Sequence, residues 1–342
     1  MKAMVIDGIM DLREIEKPLR LVELPEPMPH GNELLIRVKA CGVCHTELDE
    51  IEGRTPPPLF PVVPGHQIVG DVSGKGNYAG RFSIGDRVGV GWIYSACGIC
   101  NFCRNDAENL CSNFTATGRD ADGGYAQYMK VHEDYAYRIP DVFSYSEAAP
   151  LLCAGAIGYR SLRLSGLKDG QNLGLTGFGA SAHLVLMTVR RVYPRTRVFV
   201  FARNNKEREF AAELGADWTG GTEDACPEKL HCIIDTTPVW KPIVEGLARL
   251  ERGGRLVINA IRKEDNDREY LMNLDYPSHL WMEKEIKSVA NVSRRDISEF
   301  LEIAAEIPIK PKVDEYRLLD ANTALIDLKN RKIRGAKVLI ID

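Results

Sequence analysis

Seven of the nine cysteines in this 342-residue chain lie between positions 41 and 153, and four of them, Cys97, Cys100, Cys103 and Cys111, run as C-x2-C-x2-C-x7-C. Thiols this close in sequence are tied either by disulfides or by a metal, and the odd cysteine count favours metal. The start, Met1-Lys2-Ala3-Met4-Val5-Ile6-Asp7, has an acid where a signal peptide needs a long apolar stretch, and no later run approaches a membrane span. The chain is therefore expected in the cytoplasm, where thiols stay reduced. Four thiolates on one polar, turn-rich lobe, about 95–113, can close a tetrahedral shell around structural zinc with no open position. An iron–sulfur cluster is the competing reading, but a ferredoxin-type run brings its fourth cysteine after three residues and before proline. Here Cys111 comes after seven residues and precedes Ser112.

The stretch Cys41-Gly42-Val43-Cys44-His45-Thr46-Glu47-Leu48-Asp49 marks a second metal site. Thiol, hydroxyl and carboxylates gathered this tightly make sense together beside a metal that does chemistry. Catalytic zinc usually takes three protein ligands and keeps one position open, so Cys44 needs two partners from elsewhere. His66, in Pro64-Gly65-His66, and Cys153, in Leu151-Leu152-Cys153-Ala154-Gly155, are the candidates. Taken alone, Cys41 and Cys44 read better as buried small hydrophobes and His66 as a hydrogen-bonded turn residue, and it is the rest of the sequence that favours metal.

The apolar pattern divides the chain into two domains, as its length also suggests. Up to about residue 150, short apolar runs (Ala3 to Ile6, Leu19 to Leu24, Glu33 to Val38, Gln67 to Val72, Arg87 to Val90, Gly124 to Val131) alternate with proline and glycine, predicting an irregular barrel of short antiparallel strands. After Cys153, buried strands alternate with amphipathic helices, predicting a doubly wound parallel sheet. Its first strand, Asn172 to Thr176, runs into Gly177-Phe178-Gly179-Ala180-Ser181-Ala182 and a helix, in the order a dinucleotide site requires. A final strand, Ala336 to Ile341, has no place in a complete six-stranded sheet and is expected to return to the first domain. With 44 basic and 48 acidic residues scattered along the chain, nothing marks a nucleic-acid or lipid surface, and small molecules are the expected partners.

Together with Glu108-Asn109-Leu110-Cys111 and Gly123-Gly124-Tyr125-Ala126, these motifs resemble the zinc-dependent medium-chain alcohol dehydrogenases over the whole chain. The resemblance implies a GroES-like catalytic domain (1–150 and 291–342) and a Rossmann dinucleotide-binding domain (151–290). It implies hydride transfer between a nicotinamide and a small alcohol, aldehyde or ketone, in a homo-oligomer, dimer or tetramer. Carried over by position, Cys44, His66 and Cys153 would hold catalytic zinc, and Cys97, Cys100, Cys103 and Cys111 structural zinc, two ions per chain. Thr46 would pass the alcohol proton outward, and Trp92 would narrow the pocket.

Several positions depart from the family pattern. Glu47 stands for the usual aspartate that orients the ligand histidine, and Asp49 for a relay histidine, so Asp49 is expected to end the proton path from Thr46. Gln67 replaces a glutamate whose arginine partner would be Arg334, and Ile157 a threonine that often contacts the nicotinamide. About 20 residues after the glycine turn, where a ribose-binding carboxylate belongs, the chain has Ala202-Arg203. A guanidinium there can pair with a 2′-phosphate, with room left by Ala202 and added charge from Lys206, so NADP(H) is expected and NAD(H) is the alternative. The expected cofactor contacts are Gly177, Gly179, Ala182, Ala202, Arg203 and Arg334. The departures leave a second functional reading, a nucleotide-binding sensor or scaffold of the same fold without turnover.

Overall fold

The structure is a computed structural model that describes residues 1–307, 309–330 and 335–342. They separate into two compact units, Met1–Cys153 with Val292–Asp342, and Ala154–Asn291. Among the described residues no helix is long and apolar enough to cross a membrane.

The first unit begins with strands β1 (Lys2–Ile6), β2 (Leu19–Glu23), β3 (Glu33–Val43), β4 (Ile68–Lys75), β5 (Arg87–Val90), β6 (Ile93–Ser95), β7 (Thr115–Ala116), β8 (Tyr128–His132) and β9 (Ala136–Arg138). The second unit contributes β10 (Asn172–Thr176), β11 (Arg197–Phe201), β12 (Trp218–Gly220), β13 (Leu230–Asp235), β14 (Leu250–Ile258) and β15 (Glu285–Ser288). The chain then returns to the first unit with β16 (Val313–Arg317) and β17 (Ala336–Ile340).

β3 is the axis of the first unit. One of its edges pairs with β4, while the other is shared, residues 33–37 with β8 and residues 40–43 with β17. The apolar run predicts a strand ending at Val38, yet β3 continues to Val43. Its last residues are small because the space is small, and a Cβ on Gly42 would lie 2.5 Å from Gln67 Oε1. β16 and β17 are parallel, the connection between them being a crossover through the helix Ala321–Lys329.

The second unit is an all-parallel sheet in the order β12-β11-β10-β13-β14-β15. The period of two along each strand divides its core. Val198 and Val200 pack on one face with Leu162, Ala182, Val185 and Val189, while Phe199 and Phe201 face Ile243, Leu247 and Leu256. Strand order reverses between β10 and β13, so the segments leaving these strands lie where open parallel sheets receive ligands.

β17 completes the first unit's core, since Leu339 is fully buried opposite Cys41. Leu339→Ala should cost about 2–5 kcal/mol in urea unfolding. Leu319→Ala, at a residue 52% exposed, should stay within about 0.5 kcal/mol of the parent.

Candidate active site

The end of β3 delivers Cys44, which caps the helix His45–Ile51. Glu47, in the first turn of that helix, uses both carboxylate oxygens. Oε2 accepts the Cys44 backbone N–H at 2.7 Å, and Oε1 lies 2.9 Å from His66 Nδ1. His66 sits just before β4, after Gly65, whose φ of +100° and lack of a Cβ let Tyr125 and Cys41 close in. Cys153 follows the short 3-10 turn Ala149–Leu152. Three separate segments thus bring Cys44 Sγ, His66 and Cys153 Sγ within 4.8 Å of one another. His66 Nε2 is 3.3 Å from Cys153 Sγ, and Thr46 Oγ1 is 3.6 Å from Cys44 Sγ. Trp92 stands edge-on to His66, ring centroids 4.9 Å apart, and stacks on Phe114.

The electrostatics of this cluster favour one thiolate. The Cys153 thiol as hydrogen-bond donor pulls Cys44 well below the ordinary thiol range against the cost of burial, with His66 adding to the effect, while Cys153 is pushed up in return. Burial opposes charge on His66, but the neighbouring Glu47 and Cys44 outweigh it and raise its basicity. Cys41, fully buried, is held as a neutral thiol by burial and lies outside the cluster.

The remaining positions read from the sequence sit as follows. Thr46 and Asp49 are buried on the same helix, and Asp49 Oδ1 is 2.5 Å from Arg54 Nε, a partner that sequence reasoning missed. Arg54 also reaches Glu52 at 2.6 Å. Gln67 is buried against Gly42, and Arg334 lies outside the described residues. Glu50 is a further buried carboxylate without a hydrogen-bond partner among the described residues; burial, then Glu47, raises its pKa.

The four-cysteine lobe gathers Cys97, Cys100, Cys103 and Cys111 with all sulfurs within 4.8 Å of one another. Cys100 Sγ is 3.5 Å and Cys97 Sγ 3.9 Å from Cys103 Sγ. Backbone N–H groups of Cys100, Cys103 and Asn113 donate to sulfur at 3.4–3.5 Å. Glu108 anchors the lobe, accepting the Arg294 backbone N–H at 2.5 Å and its Nε at 3.1 Å. All nine cysteines are free of disulfides.

In the second unit Gly177 has φ +77°, and a Cβ there would lie 2.9 Å from Thr236 Oγ1. Gly179 caps the helix Ala180–Val192, and a Cβ on it would meet nothing within 4 Å, so the helix N-terminus is open to a ligand. Ala182 is buried in the helix–sheet core, and Ile157 packs partly buried against it. Ala202, expected to leave room beside a ribose, is instead 2% exposed, its N–H bonded to Gly220 O at 2.9 Å. The room lies one residue on. Exposed Arg203, without an ion pair among the described residues, lines a cavity of about 460 Å³ with Thr222, Glu223, Val239 and Lys241. Lys206 is exposed at the start of the following helix. Arg208, unnoticed in the sequence, holds this turn by donating to Ala202 O at 2.9 Å.

Residues 30–141 match the alcohol dehydrogenase GroES-like domain. The "Probable alcohol dehydrogenase AdhA" of Mycobacterium tuberculosis is 40% identical over 95% of this chain and 93% of its own length. An alcohol dehydrogenase of Geobacillus stearothermophilus is 32% identical over 100% of both chains. A solved cinnamyl alcohol dehydrogenase from Sorghum bicolor superposes with a TM-score of 0.85 at 25% identity, over 99% of this chain and 97% of that one. The fold and these relatives together define an oxidoreductase with a GroES-like domain. The chain belongs to the zinc-dependent medium-chain alcohol dehydrogenase family and is an oxidoreductase acting on CH–OH groups.

The lobe's thiols differ sharply once metal is removed. Backbone N–H groups of Ile99 and Cys100 pull Cys97 down to about 6, while burial pushes Cys103 up to about 12. In chelator-stripped protein at neutral pH, iodoacetamide should therefore alkylate Cys97 first and Cys103 last, because the thiolate is the nucleophile. Peptide mapping of the time course checks the order.

Proposed function

We propose that the protein interconverts small alcohols with aldehydes or ketones, using NADP(H), a catalytic zinc on Cys44, His66 and Cys153, and a structural zinc on Cys97, Cys100, Cys103 and Cys111. The observation that carries this reading is the convergence of two thiols and an imidazole, from three separate segments, to within 4.8 Å beside the Thr46 hydroxyl. The donor sets suit the metal. A tetrahedron with Zn–S bonds of about 2.3 Å has sulfurs about 3.8 Å apart, close to the lobe's 3.5 and 3.9 Å. At the triad, Glu47 engages Nδ1 of His66 and leaves Nε2 as the donor, the arrangement that fixes a ligating imidazole. A zinc ion held there supplies Lewis acidity at a substrate oxygen, and the dinucleotide supplies the hydride acceptor or donor.

The chain's own residues do the rest. Thr46 takes the proton from the substrate hydroxyl in oxidation and returns it in reduction. Asp49, held by Arg54, is the next station of that path. Trp92, packed against His66, limits the width of the substrate. Arg203, at the rim of its cavity and without an ion pair among the described residues, supports NADP(H), with the guanidinium meeting the 2′-phosphate. The exposed edge strand β15 supports a homo-oligomer, and nine free thiols suit the cytoplasm.

Metal analysis of purified protein should give about two zinc per chain by this ligand count. Cys44→Ala should lose one of them together with turnover, whereas Asp49→Asn should keep both and oxidise alcohols more slowly. Iron in the lobe, or one zinc in the parent, would overturn the assignment. Arg203→Ala should lower kcat/KM with NADPH on the order of tenfold and leave NADH within about twofold. An equal change with both cofactors would remove Arg203 from cofactor choice.

A further inference from the structure

Asp235, the last residue of β13, has no exposed surface, and its partner is Lys263, whose side chain is only 8% exposed, in the segment after β14. Lys263 Nζ lies 2.5 Å from Asp235 Oδ2 and donates also to Thr237 O at 2.7 Å and Val239 O at 3.0 Å. All three ammonium protons therefore have acceptors. The other carboxylate oxygen, Oδ1, accepts from Thr176 Oγ1 at 2.5 Å and Thr237 Oγ1 at 2.8 Å. Thr176 closes β10 and is followed directly by Gly177. Thr236 is tied to it twice, its N–H and Oγ1 both donating to Thr176 O at 2.9 and 3.0 Å.

One ion pair thus joins the segments that leave β10, β13 and β14 at the ligand end of the sheet. The contact continues along the chain, with Glu264 N–H donating to Pro238 O at 2.6 Å, and Trp240 and Lys241 N–H to Asp267 at 2.8–3.0 Å. Val239, whose carbonyl Lys263 holds, lines the same cavity as Arg203. Gly177 lies directly on Thr236 and Thr237. A buried charge pair adds little stability over an apolar pair of the same size, and its best-attested use is to specify one arrangement among several. Here the arrangement specified is that of the glycine turn and the 236–239 segment.

We infer that Lys263 is a positioning residue for the dinucleotide: clamped on Asp235, Thr237 O and Val239 O, it fixes the segments against which the glycine turn receives the pyrophosphate. The inference rests on the reading that the second unit binds a nicotinamide dinucleotide. Binding of NADPH and NADH to the full-length, zinc-loaded protein, followed by nicotinamide fluorescence, tests it together with thermal melting. Lys263→Met leaves a buried carboxylate unpaired and should lower both melting temperature and affinity. In Asp235→Asn/Lys263→Met the unpaired charge is gone, so melting should recover while the dissociation constant stays on the order of tenfold above the parent. Lys263→Arg, which keeps the charge, should regain part of the affinity. A double variant that melts and binds like the parent would make the pair merely structural and overturn the inference. A parent that binds neither dinucleotide would overturn the reading beneath it.

Discussion

One buried carboxylate, Glu47, holds Cys44 and His66 of the candidate triad in register. Its two oxygens reach the backbone of Cys44 and the ring of His66, so a thiol at the end of one strand and an imidazole at the start of the next are aligned by a single side chain. The longer side chain suits this double task, since it must leave the first turn of its own helix, cap that turn and still meet the ring. Everything further out depends on this alignment. The choice of His66 nitrogen, the approach to Cys153 and the place of Thr46 beside Cys44 follow from it. At this depth one oxygen is met by the Cys44 backbone N–H and the other lies beside the His66 ring.

The second unit solves a comparable problem with a different material. Its ligand end is shaped by glycine and by backbone carbonyls gathered around a lysine, so charge there sets geometry rather than chemistry. In the first unit the protein arranges thiols and an imidazole, and in the second it arranges backbone N–H groups at an open helix start. Soft donors of the first kind suit a metal, and oriented dipoles of the second suit phosphates.

Much of this was readable in the sequence where residue type alone carries the chemistry. Cys44, His66, Cys153 and the four-cysteine lobe stand out because few other combinations of side chains make a metal shell. The parallel sheet is legible because each buried strand is an apolar run of its own. Legibility fails where a partner is brought in by the fold. Arg54 on Asp49, Arg208 on Ala202 and Lys263 on Asp235 follow no spacing that a linear reading detects. Short or small-residue strands fail too. Trp218–Gly220 is too brief to show a period, and the last residues of β3 are small for packing reasons that only Gln67 explains. The small side chain of Ala202 suggests room for a phosphate, but its size serves burial at the end of a strand.

The placement of β17 also sets the order in which the molecule can be completed at the ribosome. The second unit is continuous, Ala154–Asn291, whereas the half of β3 next to Cys44 pairs on that edge with the last strand of the chain. At about 5–20 residues per second, that edge waits on the order of tens of seconds for its partner. The four cysteines of the lobe are local in sequence and can gather while the chain is still emerging. The triad beyond β3 lacks that independence, since the strand that delivers Cys44 is fully paired only once β17 has been made.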